Sequence, residues 1–373
     1  MNRTFHNIKK CMAMAAMTAL AFTASVSCSL MHDDLPECPE GVDLTFVYDY
    51  NVQRADMFRH HVGGVTVYVF DENGRYVTEK EEFNTASSSP LAAEGYKMHL
   101  SLPEGVYSFI AVAHQKGTGE INAAPGAKFR RTEFSAGHPK ENLNIRLDRV
   151  NGRVEHQGVH LDTLWHGMST TPVRITDMEQ AEHTISLMRN TNNLTVSLHQ
   201  LDNPAAISHD DFDVTITDRN GLLAHDNSLL DDEELTYTPY AAWTTDFDDG
   251  TPEGDTDTKA PGKGSRAIAE RTAHYGIAFN RLMHYSDPAD NDRNARLVIV
   301  SRKTGEQVAQ INLPDCLAQG RGAFEFYNYT PQEFLDREYD YHLDFFLKDG
   351  TWQYARLSIS LLSWSKRIQN VSL

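Results

Sequence analysis

Cysteine has the widest chemical reach in this chain, and the stretch TASVSCSLMHDDLPECP (23–39) holds two of the four. Cys28 follows Ser25, Val26 and Ser27, which are small enough for a signal peptidase to accept. Before them runs an apolar segment from Met12 to Ala24, led by the positive charges of Arg3, Lys9 and Lys10. That segment is short of the roughly 20 residues a spanning helix needs. A thiol directly after small residues is the group that bacterial lipoprotein processing acylates. Ser25 stands where such sites most often carry Leu, and ordinary secretion with a cut at the same bond is the alternative. We read 1–27 as a signal peptide and 28–37 as a lipidated tether. The mature chain then keeps Cys28, Cys38 and Cys316. With Cys28 acylated, Cys38 and Cys316 are free to form a disulfide, which export permits; two unpaired thiols are the alternative. No CxxC motif or Cys/His cluster supports structural zinc.

The other candidate groups favour plain roles. His156, His160 and His166 fall in one segment, but strand and turn residues surround them, and packing is the better reading than a zinc set. His60 and His61, followed by Gly63 and Gly64, read as a surface turn. Asp246, Asp248, Asp249, Asp255 and Asp257 offer hard oxygen ligands, yet their spacing does not follow the EF-hand loop. The stretch 246–266 therefore reads as a solvated acidic loop. An indole stacks well on a sugar ring, and of Trp165, Trp243, Trp352 and Trp364 we keep Trp243 as the ligand candidate. Trp364 alternates with Leu362 in a core-like strand. The sequence contains no GxSxG elbow, no HExxH and no phosphate-binding glycine loop. We expect no enzyme, no metal and no cofactor other than the lipid; a secreted hydrolase would rest on export alone.

The full chain carries 34 Lys+Arg against 52 Asp+Glu, a formal charge of −18. Removing Arg3, Lys9 and Lys10 with the signal leaves 31 against 52, or −21. Such a chain repels phosphate backbones and excludes nucleic acid as a partner class. No later apolar run is long enough to span a membrane. Membrane attachment would fall to the lipid, and stable anchoring takes more than one acyl chain.

The elements that would position these groups are short alternating strands. VDLTFVYDY (42–50) puts Leu44, Phe46 and Tyr48 on one face. GGVTVYVFDENGRYV (63–77) is strand, Asn73-Gly74 turn, strand. YKMHLSLPEGVYSFIAVAH (96–114) is two strands about a Pro-Glu-Gly turn. Further strands are predicted in 141–150, 183–190, 193–201, 212–223, 295–313, 339–347 and 354–364. One short helix is predicted in 330–340, with Thr330 as cap and Pro331 in its first turn. The pattern predicts an all-β fold of two tandem β-sandwiches, 38–182 and 183–373, divided near 177–184.

The order of these blocks carries a resemblance. Cys28, then 33–51, DMF (56–58) and 62–77, followed by 185–198, 212–221 and 334–373, resembles the FimB/Mfa2 family of fimbrial anchor and accessory lipoproteins of Bacteroidetes. The acidic loop and Cys316 lie outside the match. The resemblance implies transthyretin-like sandwiches and a lipid-held base in the outer membrane, exposed at the cell surface. It also implies pilin subunits as partners, joined by β-strand complementation. In such pili, proteolysis at Arg or Lys removes a subunit's first strand and opens a groove for a neighbour's strand. From Cys28 to Gln53 there is no Lys or Arg, and the first basic residue is Arg54. An anchor must keep the strand with Leu44, Phe46 and Tyr48, because a cut at Arg54 would free it from its lipid. Asp33 and Asp34 resemble a surface-export tag. The alternating C-terminal stretch SISLLSWSKRIQNVSL reads as a last core strand, ahead of a donated one. The competing function is a surface lipoprotein that binds a glycan or host ligand through an exposed tryptophan.

Overall fold

Alternation of β-branched and aromatic residues with polar ones makes strands the dominant regular structure of the chain. The structure is a computed structural model that describes residues 41–177, 180–247, 270–348, 351–361 and 364–369. The strands of the first part are β1 Val42–Val47, β2 Gly64–Phe70, β3 Tyr76–Phe83, β4 Met98–Leu100, β5 Gly105–His114, β6 Phe129–Arg131 and β7 Ile145–Leu147. There follow β8 Arg153–Val154, β9 Leu164–Met168, β10 Val173–Ile175, β11 Ala181–Arg189, β12 Asn192–Gln200, β13 Phe212–Asp218, β14 Leu222–Leu223 and β15 Leu235–Tyr237. The last are β16 Ala241–Phe247, β17 Glu270–Phe279, β18 Arg296–Ser301, β19 Gln307–Asn312, β20 Asp340–Lys348, β21 Thr351–Leu361 and β22 Trp364–Gln369. Short helices punctuate them: α1 Phe58–His61, α2 Thr118–Ala123, α3 Leu313–Ala318 and α4 Pro331–Arg337. The expected all-β class holds.

The first sheet runs β3-β2-β5-β9-β11-β1-β4, with β10 added on β5. It bends within β11, whose residues 181–186 pair with β1 while 187–189 pair with β9. The bend wraps the sheet around one core of Val42, Leu44, Phe46, Val67, Phe109, Trp165 and Leu187, among others. The opposite face of β2 and β5, with Tyr68, Phe70, Ile110 and Val112, packs into a second core shared with the C-terminal half. Both faces of β2 are therefore buried, which is why its seven residues are apolar or small without alternation. The C-terminal half has a six-stranded sheet, β16-β17-β12-β20-β21-β22, and a five-stranded one, β19-β18-β13-β15-β8.

The expected division at 182/183 falls inside β11, which belongs wholly to the first sheet. The strands β7 and β8, from the first half in sequence, also pair with β14 and β15 of the second. The hairpin at Asn73-Gly74 is present: β2 pairs with β3, Gly74 has φ +69°, and its N–H donates to the Asp71 carbonyl at 2.9 Å. The Asp71 side chain also accepts from the N–H groups of Asn73 and Arg75, each at 2.8 Å. The two strands about Pro-Glu-Gly exist, but β4 pairs with β1 and not with β5. α4 forms as read, and the Thr330 hydroxyl accepts from the Glu333 N–H at 3.1 Å.

Candidate functional site

The first strand is the centre of the candidate site. β1 alternates buried and half-buried residues, and Val42, Leu44, Phe46 and Tyr48 enter the first core. The Phe46 ring stacks on Phe58 at 5.6 Å and lies 6.4 Å from Tyr96. The Tyr48 ring meets Trp165 edge-on at 5.7 Å. Backbone partners flank the strand on both sides, β11 in parallel and β4 antiparallel. The β11 ladder covers all six residues of β1, and β4 covers Val42 to Leu44 on the other side.

Tyr48 carries β1 to the junction with the C-terminal half. Burial raises its phenol pKa, while the nearby Arg189 guanidinium opposes the shift. Arg189 lies 3.9 Å over the Tyr339 ring and donates from Nε to the Thr191 carbonyl at 2.8 Å. Burial pushes the Glu338 carboxyl up to about 7. Its Oε1 accepts from the N–H groups of Tyr339 and Asp340, while Oε2 has no hydrogen-bond partner.

A tied-down loop follows. Asn51 is fully buried and its amide donates to the carbonyls of Tyr48 and Ala55, both at 2.9 Å. Val52 reaches the second core. Arg54 takes a left-handed backbone, φ +52°, and its N–H donates to the Asn51 carbonyl at 3.2 Å. Its guanidinium sits 4.1 Å over the Tyr327 ring and donates to the Tyr329 hydroxyl at 3.1 Å. Arg337 continues the stack, 3.9 Å over Tyr50 and 5.3 Å from Tyr329. Thus the first basic residue after β1 is clasped against the C-terminal half.

The family model of the Fimbrillin-A associated anchor proteins Mfa1 and Mfa2 matches residues 35–370. The chain belongs to this family. Among solved structures it is similar to a candidate adhesin of Bacteroides thetaiotaomicron VPI-5482, at 26% identity and TM-score 0.70, covering 91% of this chain and 100% of the other. A candidate polysaccharide-binding protein of the same organism shares 30% identity with TM-score 0.64, over 88% of this chain and 98% of that one. The fimbrial anchor protein Mfa2 of Porphyromonas gingivalis has the same fold, with TM-score 0.57 at 17% identity, over 89% and 100% of the two chains. No curated protein is matched. Membership of a fimbrial anchor family supports a fimbrial role for the chain.

The remaining sequence candidates disperse across this family fold. Cys28 and Cys38 lie outside the described residues, so their lipid and disulfide roles stay proposals. Cys316 is buried in α3, and burial pushes its thiol up to about 12. His156, His160 and His166 do not converge. His166 donates from Nε2 to the His225 carbonyl at 2.9 Å, and His160 bonds Asn193 and the Leu161 carbonyl. Burial pulls both His156 and His166 down to about 4, so both are neutral packing residues. His60 and His61 close the single helical turn of α1, with His60 exposed. Among the described residues no group of three or more acidic, His or Cys side chains forms a metal site. β16 extends through Phe247, so the acidic stretch begins as strand; Asp246 pairs with Arg271 at 2.7 Å, and 248–269 lie outside the described residues. Trp165 is core and Trp352 packs against the second core. Trp243 is 39% exposed and stacks on His274 at 5.1 Å.

Sequence reading passed over Arg189, Glu338 and the partners of Trp243. Arg189 and Glu338 sit in polar local contexts that give no sign of burial. His199, His342 and Asp344 did leave a signal: they occupy the polar positions of the alternating stretches NLTVSLHQL and YDYHLDFFL.

Proposed function

We propose that the protein is a lipid-anchored fimbrial anchor or accessory subunit, held in the outer membrane at the cell surface through acylated Cys28. It meets pilin subunits through β-strand complementation. The observation that carries this reading is the placement of β1 and of the loop that follows it. The strand lies inside its sheet, and the first basic residue after it, Arg54, is wound into a left-handed turn and clasped by Tyr327 and Tyr329. A protease must draw its substrate into an extended backbone, so this turn opposes a cut that would part the folded body from its lipid. An anchor needs that permanence, whereas a polymerising subunit needs its groove emptied. The strand offered to a pilin, or the edge that receives one, must then lie elsewhere; β16 and β22 are the terminal strands of the six-stranded sheet.

N-terminal sequencing and acyl labelling of the envelope-bound protein test the reading. We expect a blocked, palmitate-labelled terminus at Cys28 that is lost in Cys28→Ala, with pilin subunits recovered after mild crosslinking. A mature terminus at Arg54 or beyond overturns the anchor role. Label retained by Cys28→Ala overturns the lipid site.

A further inference from the structure

The six-stranded sheet turns one face to the second core, through Leu194, Val196, Leu198, Leu343 and Phe345. Its other face carries a transverse row in direct register: Trp243 on β16, His274 on β17, Ser197 on β12 and Asp344 on β20. We propose that this outer face is a binding site for a neutral glycan, independent of the fimbrial role.

Two aromatic rings form the floor. The Trp243 indole lies nearly parallel to the His274 imidazole, at 19° and 5.1 Å, which fixes the indole and leaves its other face to solvent. Beside it, the half-buried Tyr240 ring covers Gly276, where a Cβ would stand only 3.0 Å from the ring. Glycine at 276 is thus what lets the tyrosine lie down on the sheet. Rings held this way offer flat apolar area at little entropic cost on binding.

Next to the rings stand short polar groups already oriented by one another. Ser197 Oγ lies 2.7 Å from His274 Nδ1 and 3.0 Å from His342 Nε2. Asp344 Oδ1 is shared by His199 Nε2 at 3.1 Å and His342 Nε2 at 3.2 Å. Thr245 Oγ1 meets His274 Nε2 at 2.8 Å. Hydroxyl, imidazole and carboxylate groups beside an aromatic floor match a sugar ring, with its C–H face on one side and its hydroxyls at the rim. A protein partner would need an apolar centre, and here the centre is polar: the His274 and His342 imidazoles, held from beneath by the buried Ser197, with Asp344 beside them. The carboxylate and the chain's charge of −18 select against an anionic polymer.

Native affinity electrophoresis of the intact chain in mild detergent tests this, in gels containing dextran, xylan or galactomannan, with heparin as the anionic comparison. We expect retardation in at least one neutral gel and none in heparin. Trp243→Ala and Tyr240→Ala should each weaken it tenfold or more, and Trp243→Phe should restore part of it. Thermal melting of each variant separates lost binding from lost fold. Should Trp243→Ala lower the melting temperature, the exposed Thr245→Ala is read in its place, with an expected severalfold loss. No retardation in the neutral gels, equal retardation by the folded variants, or retardation in heparin alone overturns the proposal. Pilin recovery by Trp243→Ala, expected to be unchanged, keeps this outcome distinct from the fimbrial one.

Discussion

The chain closes its two ends in opposite ways. β1 lies one strand in from the edge of the first sheet, between β11 and the short β4, with its side chains in a core. β22 ends the six-stranded sheet and, among the described residues, pairs only with β21. Removing β1 would expose an apolar groove and two rows of backbone groups, and would strip Tyr48 from the buried Arg189 and Glu338. Removing β22 unpairs one row at an edge. The difference separates permanence from availability: the N-terminal strand is locked in place, as the proposed lipid anchor requires, and the edge strand at the other end is the cheaper one to unpair.

The largest effect should come from breaking the locked end. Val42, Leu44 and Phe46 are each worth about 1.5–3 kcal/mol of burial, against a typical net stability of about 5–15 kcal/mol. A chain beginning at Ala55 should therefore fail to fold its first sheet, seen as lost protease resistance of 64–189. A chain ending at Leu361 should keep that resistance. Equal behaviour of the two truncations would erase the distinction. Within the intact chain, Phe46→Ala should cost about 3–5 kcal/mol in urea unfolding, since the Phe58 and Tyr96 rings cannot refill its place.

The next effect sharpens the comparison through pH, because His166 in the first half titrates with opposite sign to Glu338 and Asp218 in the second. His166 in β9 is held at about 4 in the folded chain against 6.5 when free. Between those values the unfolded chain takes up a proton that the folded chain refuses, so stability falls as pH drops from 6.5 toward 4. Glu338 at the junction and Asp218 in β13 are pushed up to about 7, against 4.5 and 3.8 when free. They stay protonated in the fold, and the stability they give below pH 4 is lost as pH rises through 7. Each shift corresponds to about 3–4 kcal/mol at full depth. Urea midpoints at pH 4.5, 6 and 7.5 should show Glu338→Gln gaining stability at the high end. His166→Asn should flatten the acid limb. A variant whose midpoint tracks the parent at all three values would remove its residue from this account.

Much of this was legible in the sequence where side chains alternate. The strand of Leu44, Phe46 and Tyr48, the Asn73-Gly74 turn and the Thr330 cap all follow from local patterns, and local physics suffices for them. The break between the halves was not legible. Ala181–Arg189 reads equally well as the first strand of a second sandwich, and only the long-range pairing of residues 181–186 with β1 assigns it to the first. β17 was overlooked because Arg271 takes a core-facing position while Gly276 and Ala278 take outer ones, which blurs the alternation. The clasp on Arg54 joins residues 275 positions apart, and nothing near Arg54 announces Tyr329.

The smallest expected effect lies at Arg54, and it probes the lock rather than the fold. The side chain is exposed, so its cation–aromatic contact with Tyr327 contributes little to stability, and Tyr327→Ala should barely move the unfolding midpoint. The turn itself should loosen, because Arg54 then keeps only Tyr329 and its own strained backbone. Limited trypsin digestion reads this directly. In the parent, cleavage after Arg54 should lag well behind cleavage at basic residues of ordinary backbone conformation on the surface, such as Lys303. In the double variant Tyr327→Ala/Tyr329→Phe it should quicken severalfold while the other sites keep their rates. Rapid cutting at Arg54 in the parent would mean that the left-handed turn and its clasp protect nothing. β1 would then be retained by burial in its sheet alone.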